Sequence, residues 1–179
     1  MQRREFTLAG IAGATAAATG LATLSLPAQA QSASDYTAGK DYMVLRKPAA
    51  TSAPAGKVEV IEFFGYWCPH CNSFDPEFNA WMKSAPSFIH FRRVPVAFRP
   101  EMAPMQRLFY ALEAVGMVGR MHGKVFEAYH KQRINLTTDA AILQWAAQQP
   151  ELKDGRFAQA YQSFGMSAKL NQANQLVEA

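Results

Sequence analysis

The sequence predicts an α/β fold in which two strands flank a helix and a block of helices follows. A nearly continuous apolar run begins at Val58 and leads to the only two cysteines of the chain, Cys68 and Cys71. A helical pattern follows the cysteines, and a second strand-like run occupies residues 88–94. Further helical patterns come after that run, within about residues 101–165. These observations give the predicted order of strand, cysteine pair, helix, strand and helices.

The first 30 residues have the pattern of an export signal. A short basic start over residues 1–6 precedes a stretch over 7–26 rich in Ala, Gly, Thr and Leu, and then the small-residue site Pro27-Ala28-Gln29-Ala30. We expect cleavage after this site, which leaves residues 31–179 as one domain. The Arg3-Arg4 pair resembles a twin-arginine signal, although arginine pairs also occur in ordinary secretory leaders. The alternative is a retained membrane anchor, because the stretch approaches the length that spans a bilayer.

Charge and motifs exclude several classes of protein. The chain has 18 Lys and Arg against 14 Asp and Glu, a net charge of +4, and no basic run that suggests a nucleic acid partner. It contains no internal repeat, no metal-ligand cluster and no phosphate-binding glycine motif. We therefore expect neither a bound metal nor a nucleotide.

The elements before the cysteines are two predicted strands and a connection. Residues 41–46 predict a short first strand, and residues 47–56 predict a surface connection because they hold Pro48, Pro54 and Gly56. From Lys57 onward the apolar run is the kind expected of a central strand buried on both faces.

An amphipathic helix is predicted after the cysteines. Phe74, Phe78, Trp81 and Met82 fall on one face of a 3.6-residue period. Pro76 removes one backbone donor inside this helix, so we expect a kink there. After the strand at 88–94, the sequence predicts further helices, which cover residues 101–115, 120–133, 138–149, 155–164 and 167 to the end.

The segment Cys68-Pro69-His70-Cys71 predicts a redox dithiol. Such a pair closes too short a ring to staple distant parts of a fold, so its value lies in opening and closing. Cys68 would be the helix N-cap, with the amides of His70 and Cys71 and the positive end of the helix dipole directed at its sulfur. Pro69 suits the first helical turn, and His70 can add a hydrogen bond or a positive charge beside the sulfur.

These surroundings favour a thiolate at the first cysteine. Helix N-termini and neighbouring cations lower the pKa of a cysteine thiol from about 8.5 to roughly 3.5–7.5. A stabilised thiolate stabilises the reduced form and makes the disulfide a strong oxidant. We expect a substrate thiolate to attack Cys68 and form a mixed disulfide. Cys68 then departs as the better leaving group, and Cys71 is the buried member of the pair.

Several features beside the cysteines occur together. Glu62-Phe63-Phe64 begins six residues before Cys68, Pro69-His70 separates the cysteines, and a lead-in runs from Gly39-Lys40 to Pro48. With this helical order, the chain resembles the DsbA family of periplasmic thiol:disulfide interchange proteins over about residues 40–179. The resemblance implies a thioredoxin-like fold with a helical insertion at about residues 101–165.

The resemblance also implies a function. It implies an oxidoreductase that donates the Cys68–Cys71 disulfide to reduced or unfolded exported proteins in the periplasm, with no bound cofactor and a quinone-linked membrane oxidase that restores the disulfide. No dimerisation domain is visible, and we expect a monomer. One alternative is a thioredoxin-like reductase or isomerase, which is disfavoured because Pro69-His70 differs from the Gly-Pro pair of thioredoxins. Another is a non-catalytic truncated remnant or a holdase that binds unfolded chains.

Glu62 interrupts the apolar strand that leads to the cysteines. A lone carboxylate there is costly unless it is protonated or paired. We hypothesise that Glu62 relays a proton to or from Cys71, as the acid at the matching place in the family suggests. The alternative is a carboxylate satisfied by a nearby lysine or by water.

The remaining candidates have both structural and functional interpretations. The aromatic residues before the dithiol are mainly core, but Tyr66, Trp67 and Pro69 are candidates for a surface that binds unfolded substrate. The three histidines outside the motif are interpreted as surface or strand residues without a catalytic role; they are His90, His122 and His130. The methionines fit a helix core better than an adaptable binding surface.

The end of the chain also differs from the family pattern. In the family, the final helix runs into a loop with a cis-proline beside the dithiol, then a strand pair and another helix, whereas this sequence ends at Glu178-Ala179. We expect a C-terminally truncated sheet in which the strand at 58–64 has an exposed apolar edge. We also expect the sequence to be a fragment of a longer protein, or a truncated product of low stability.

Overall fold

The computed structural model describes residues 36–178. The predicted export signal, with its alternative as a membrane anchor, lies outside these residues. The described residues belong to two units, one that ends at Val44 and one that begins at Leu45. Within the described part of the chain, no helix combines the length and the apolar character needed to cross a membrane.

The first unit contains a turn where a strand was predicted. The backbone N–H of Thr37 donates to Asp41 Oδ2 over 2.8 Å, and a single bridge joins Ala38 to Tyr42. Residues 43–50 contain no strand, and their side chains are exposed. The prediction of a strand at 41–46 is therefore wrong, because the apolar residues of this segment pair with no strand in the described part of the chain.

Two parallel strands and the helix between them form the base of the second unit. Strand β1 is Val58–Phe64, helix α1 is Pro69–Ser84, and strand β2 is Ile89–Pro95. The strands pair in register from Val58 opposite Ile89 to Phe64 opposite Pro95. Both strands and the helix match the sequence prediction, with β2 displaced by one residue.

Strand β1 is less buried than the sequence predicts. Within the described chain it pairs only with β2, and most of its side chains are partly buried rather than buried on both faces. Phe63 is 45 % exposed, whereas Phe64 is fully buried. The predicted central strand therefore has one neighbouring strand among the described residues.

Helix α1 packs on the sheet through one side of its predicted apolar face. Phe78 is buried and meets Phe91 edge to face, with ring centroids 5.9 Å apart. Trp81 also contacts Phe91, at 4.8 Å, yet both Phe74 and Trp81 remain exposed. The helix continues through Pro76 as a single element.

A block of helices follows β2 and covers the buried end of the sheet. Its helices are α2 (Ala103–Ala114), α3 (Val118–Phe126), α4 (Asp139–Ala147), α5 (Arg156–Tyr161) and α6 (Met166–Val177). Helix α3 continues into a π-helical turn, Glu127–Lys131. Residues from all these helices join Phe64 and Val94 in one hydrophobic core, and the buried methionines include Met105 and Met121. The interpretation of the methionines as core is confirmed at these positions.

Candidate active site

The dithiol lies where β1 passes into α1. Cys68 has an extended backbone and is the N-cap of α1, with Pro69 as the first helical residue. Its N–H donates to the Gly65 carbonyl oxygen over 3.0 Å, and its own carbonyl accepts from the N–H of Asn72 at 3.1 Å. Both Cys68 and Cys71 are free thiols and partly buried. The predicted N-cap is confirmed.

One backbone amide is directed at the first sulfur. The N–H of Cys71 donates to Cys68 Sγ over 3.4 Å. The second predicted donor, the amide of His70, makes no such contact, and the imidazole of His70 is exposed without a hydrogen bond to the described residues. The contact from Cys71, with the helix N-terminus behind it, stabilises negative charge on Cys68.

The second cysteine has the opposite character. Burial, more than any other cause, raises the pKa of the Cys71 thiol from 9.0 to about 11. Its hydrogen bond with Cys68 and the negative charges of Cys68 and Glu62 act in the same direction, and a backbone hydrogen bond at Gly65 opposes them. Cys71 therefore stays a thiol at neutral pH.

The Gly65–Trp67 turn supports the dithiol through close packing. A Cβ at Gly65 would lie 2.6 Å from Trp67 Cε2, so only glycine allows the indole to lie over this backbone. The ring of Trp67 meets that of Phe98 edge to face with centroids 5.9 Å apart, and Phe98 is exposed. Trp67 is partly buried and Pro69 is exposed, so both lie beside the dithiol where another chain can reach them.

Tyr66 is held by two histidines of the helical block. Its side chain is only 1 % exposed, and its hydroxyl lies 2.8 Å from His122 Nδ1. His130, in the π-helical turn, places Nε2 2.8 Å from the Tyr66 carbonyl oxygen. Tyr66 therefore belongs to the core, which corrects its prediction as a substrate-binding residue. The interpretation of His122 as a surface or strand residue is also wrong, because it is buried in α3.

A buried network of charged residues lies behind the dithiol. Arg93 Nε donates to Glu62 Oε2 over 2.8 Å, and Arg93 Nη2 lies 3.0 Å from Asp75 Oδ1. Asn79 donates from Nδ2 to Asp75 Oδ2 over 2.8 Å and accepts from Arg93 at 2.9 Å. His122 Nε2 lies 3.3 Å from Asp75 Oδ1. Glu62 is thus paired, but with an arginine of the neighbouring strand and not with a lysine.

The network keeps its second acid charged. Burial would raise the pKa of Asp75, but its contacts with His122, Arg93 and Asn79 outweigh burial, so the pKa lies below the usual 3.8. Two carboxylates and one guanidinium are therefore held together within a few ångströms of one another, with His122 beside them.

Known proteins resemble this chain over most of its length. DsbA of Burkholderia cepacia is 45 % identical over 140 residues, which is 78 % of this chain and 66 % of the relative. DsbA of Bordetella pertussis is 39 % identical over 165 residues, which is 92 % of this chain and 75 % of the relative. The chain belongs to the DsbA family of thiol:disulfide interchange proteins. No protein-family model matches the chain.

Solved structures of the DsbA family confirm the fold. The crystal structure of Pseudomonas aeruginosa DsbA matches with a TM-score of 0.76 at 37 % identity, covering 82 % of this chain and 76 % of that one. A DsbA oxidoreductase of Neisseria meningitidis matches with a TM-score of 0.70 at 30 % identity, covering 79 % and 74 %. The predicted family, its thioredoxin-like fold and its class of enzyme, a disulfide oxidoreductase, are confirmed.

Several site residues of this DsbA-family chain were missed by sequence reasoning. Asp75 lies four residues after Cys71, a spacing that places both on one side of a helix, so a lone acid there was a detectable signal. Arg93 lies in a strand pattern and could have been proposed as the partner of Glu62. No sequence signal connects His122 or Asn79 to the dithiol, because their contacts depend on how α3 and α1 pack.

Proposed function

We propose that the oxidised chain donates its Cys68–Cys71 disulfide to reduced, newly exported proteins in the periplasm. A substrate thiolate attacks Cys68 Sγ, the Cys68–Cys71 bond breaks, and Cys71 accepts a proton. The second substrate thiolate then attacks the substrate sulfur of the mixed disulfide and releases Cys68 as a thiolate. The substrate loses two electrons and the chain gains them.

The observation that carries this proposal is the asymmetry between the two sulfurs. Cys68 lies at the helix N-terminus and accepts a hydrogen bond from the Cys71 amide, so it is suited to depart as an anion. Cys71 has a raised pKa of about 11, so it holds a proton once it is displaced. This difference favours the reduced form and directs the exchange toward oxidation of the substrate.

Substrate contact is assigned to the surface beside the dithiol. Trp67 and Pro69, with the exposed ring of Phe98, offer apolar area to an unfolded chain. His70 is exposed next to Cys71 and can bring a positive charge to the sulfurs.

A quinone-linked membrane oxidase restores the disulfide, the chain acts as a monomer, and no cofactor takes part.

Glu62 is proposed as the group that relays the proton to Cys71. Its negative charge is among the causes that raise the Cys71 pKa, and its ion pair with Arg93 keeps it in place. Glu62→Gln should slow mixed-disulfide formation and flatten its dependence on pH, measured by stopped-flow between pH 5 and 8. Glu59→Gln is the matched control, because Glu59 lies on the same strand and pairs with Arg92 instead. An unchanged pH profile in Glu62→Gln would rule out the relay.

Disulfide donation is tested in a single turnover. Oxidised chain is mixed with reduced, unfolded ribonuclease, and substrate thiols are counted by mass spectrometry after alkylation. We expect each wild-type molecule to transfer one disulfide. The Cys71→Ser variant, joined through Cys68 to a substrate-like peptide, should remain a stable mixed disulfide. The Cys68→Ser variant should neither transfer a disulfide nor form the mixed disulfide. Substrate thiols that stay reduced with wild type would contradict the proposal.

A further inference from the structure

The buried network behind the dithiol has an unequal number of opposite charges. Glu62 and Asp75 supply two carboxylates, and Arg93 is the one side chain of the network with a permanent positive charge. The side chains of Glu62, Asp75 and Arg93 are only 8 %, 9 % and 13 % exposed. Unpaired charge is unfavourable in such a site, so a second positive charge would stabilise it.

His122 is placed to supply that charge. Its Nε2 lies 3.3 Å from Asp75 Oδ1, an ionic contact that is not an aligned hydrogen bond. Such a contact gains most when the imidazole is charged. The rings of Phe64, Phe109 and Phe126 pack against the imidazole, with ring centroids 4.9, 6.1 and 5.1 Å from it. Histidine is also the side chain that ordinarily changes its charge between pH 5 and 8.

Tyr66 allows His122 to exist in both charge states. Its hydroxyl lies 2.8 Å from Nδ1 and can donate to the neutral ring or accept from the imidazolium N–H. Burial raises the pKa of Tyr66 well above 10, so the hydroxyl keeps its proton throughout. His122 therefore retains this partner whether or not it is protonated.

The other charged groups near His122 are exposed. A cavity of about 630 Å³ adjoins the network, and its rim carries Lys83 of α1, Arg120 and Lys124 of α3, and Glu127. Lys124 pairs with Glu151 over 2.6 Å. Solvent screens these rim charges, so the charge on the buried side is decided by Asp75, Arg93, Glu62 and His122.

We propose that His122 is a positioning residue that balances the charge behind the dithiol, so that its protonation makes the disulfide a stronger oxidant at lower pH. The inference rests on the proposed function, because it concerns the same redox step. Uncharged His122 leaves the network with a net negative charge, and the Glu62 carboxylate of this network already disfavours a thiolate at Cys71. Excess negative charge there therefore disfavours the reduced form. Charged His122 removes that excess, and reduction becomes more favourable.

The test compares His122→Gln with wild type directly. Oxidised wild type is equilibrated with the reduced variant and a trace of glutathione, and the four species are resolved by mass after alkylation. At pH 5.5 we expect reduced wild type to be favoured by about threefold to tenfold, as for a unit charge acting over on the order of 10 Å in a screened interior. At pH 8.5 the equilibrium constant of this exchange between wild type and variant should be close to one.

His90→Gln is the matched control, because His90 lies on β2 outside the network and should give a constant near one at both pH values. A constant for His122→Gln that is the same at both pH values would overturn the inference, since it would indicate a purely structural role. Wild type is also equilibrated with glutathione alone. A weakly oxidising value there would contradict the proposed function, while the pH-dependent difference between wild type and variant still tests His122.

A second measurement needs no variant. Binding linkage is reciprocal, so the titration midpoint of the His122 imidazole, followed by NMR, should be higher in the reduced than in the oxidised chain. Equal midpoints in the two redox states would overturn the inference even if His122→Gln fails to fold.

Discussion

At the scale of single residues, the site depends on side chains whose roles differ although their positions are close. Cys68 and Cys71 are three positions apart, yet one is a helix N-cap and the other is a buried thiol with a raised pKa. The sequence predicted both roles because the Cys68-Pro69-His70-Cys71 motif directly specifies a helix start. It could not predict that only one of two amides would contact the sulfur, which depends on the local turn.

Gly65 is a residue whose importance only the structure reveals. Gly65→Ala places a methyl group inside the position of the Trp67 indole, so the indole must shift from its place beside the dithiol. We expect disulfide transfer to slow by about tenfold to a hundredfold, as small misplacements of reacting groups do. Stopped-flow exchange with a reduced peptide measures this rate.

Gly119→Ala provides the control for that experiment. Gly119 lies in α3 with open space where a Cβ would be placed, and its φ is not positive. Its exchange rate should match that of wild type. If Gly65→Ala also exchanged at the wild-type rate, the packing of Trp67 over Gly65 would have no role in presenting the dithiol.

At the scale of elements, Arg93 connects β2 to both β1 and α1 through two buried carboxylates. Arg93→Met leaves Glu62 and Asp75 without their shared partner, so we expect a loss of about 3–5 kcal/mol in the free energy of unfolding. Urea denaturation followed by circular dichroism measures it.

Arg92→Met is the neighbouring control. Arg92 is 31 % exposed and its partner Glu59 also accepts a hydrogen bond from Ser52, so the removal of Arg92 should cost less than the removal of Arg93. Equal losses for the two variants would mean that the buried network contributes no more than this partly exposed ion pair.

The elements themselves were predicted to different degrees. Helices α2, α4 and α6 follow their apolar periodicity closely, because their patterns face one core. The strand predicted at 41–46 has no described partner strand, and its apolar pattern alone cannot form one. The π-helical turn at Glu127–Lys131, which brings His130 to Tyr66, has no signal in the periodicity.

At the scale of the whole molecule, the fold should weaken in acid. Burial would raise the pKa of Glu59, but hydrogen bonds from Ser52 and Arg92 outweigh it and lower the pKa from 4.5 to about 2. A lowered pKa in the folded state stabilises the fold above the unfolded value and loses this contribution as pH falls toward the folded value. Asp75, with a pKa lowered from 3.8, acts in the same direction.

The free energy of unfolding should therefore fall as pH is lowered from about 4.5 to 2, and Glu59→Gln should reduce the slope in that range. Urea midpoints at a series of pH values measure both. A variant with the same acid slope as wild type would show that Glu59 is not stabilised in the folded state.

The family and the fold could be predicted from the sequence because the order of β1, dithiol, α1 and β2 is local information. The sequence could not predict that α3 closes the site, since Tyr66 and His122 are 56 residues apart and meet only through packing.

The difference between the two sulfurs is tested by alkylating the reduced chain with iodoacetamide at pH 6 and identifying the modified cysteine by peptide mass spectrometry. Cys68 should be modified at least tenfold faster than glutathione, because the Cys71 amide and the helix N-terminus stabilise negative charge on its sulfur. Cys71, with its pKa of about 11, should stay unmodified. Modification of Cys68 as slow as that of glutathione, or modification of Cys71 first, would contradict this difference between the sulfurs.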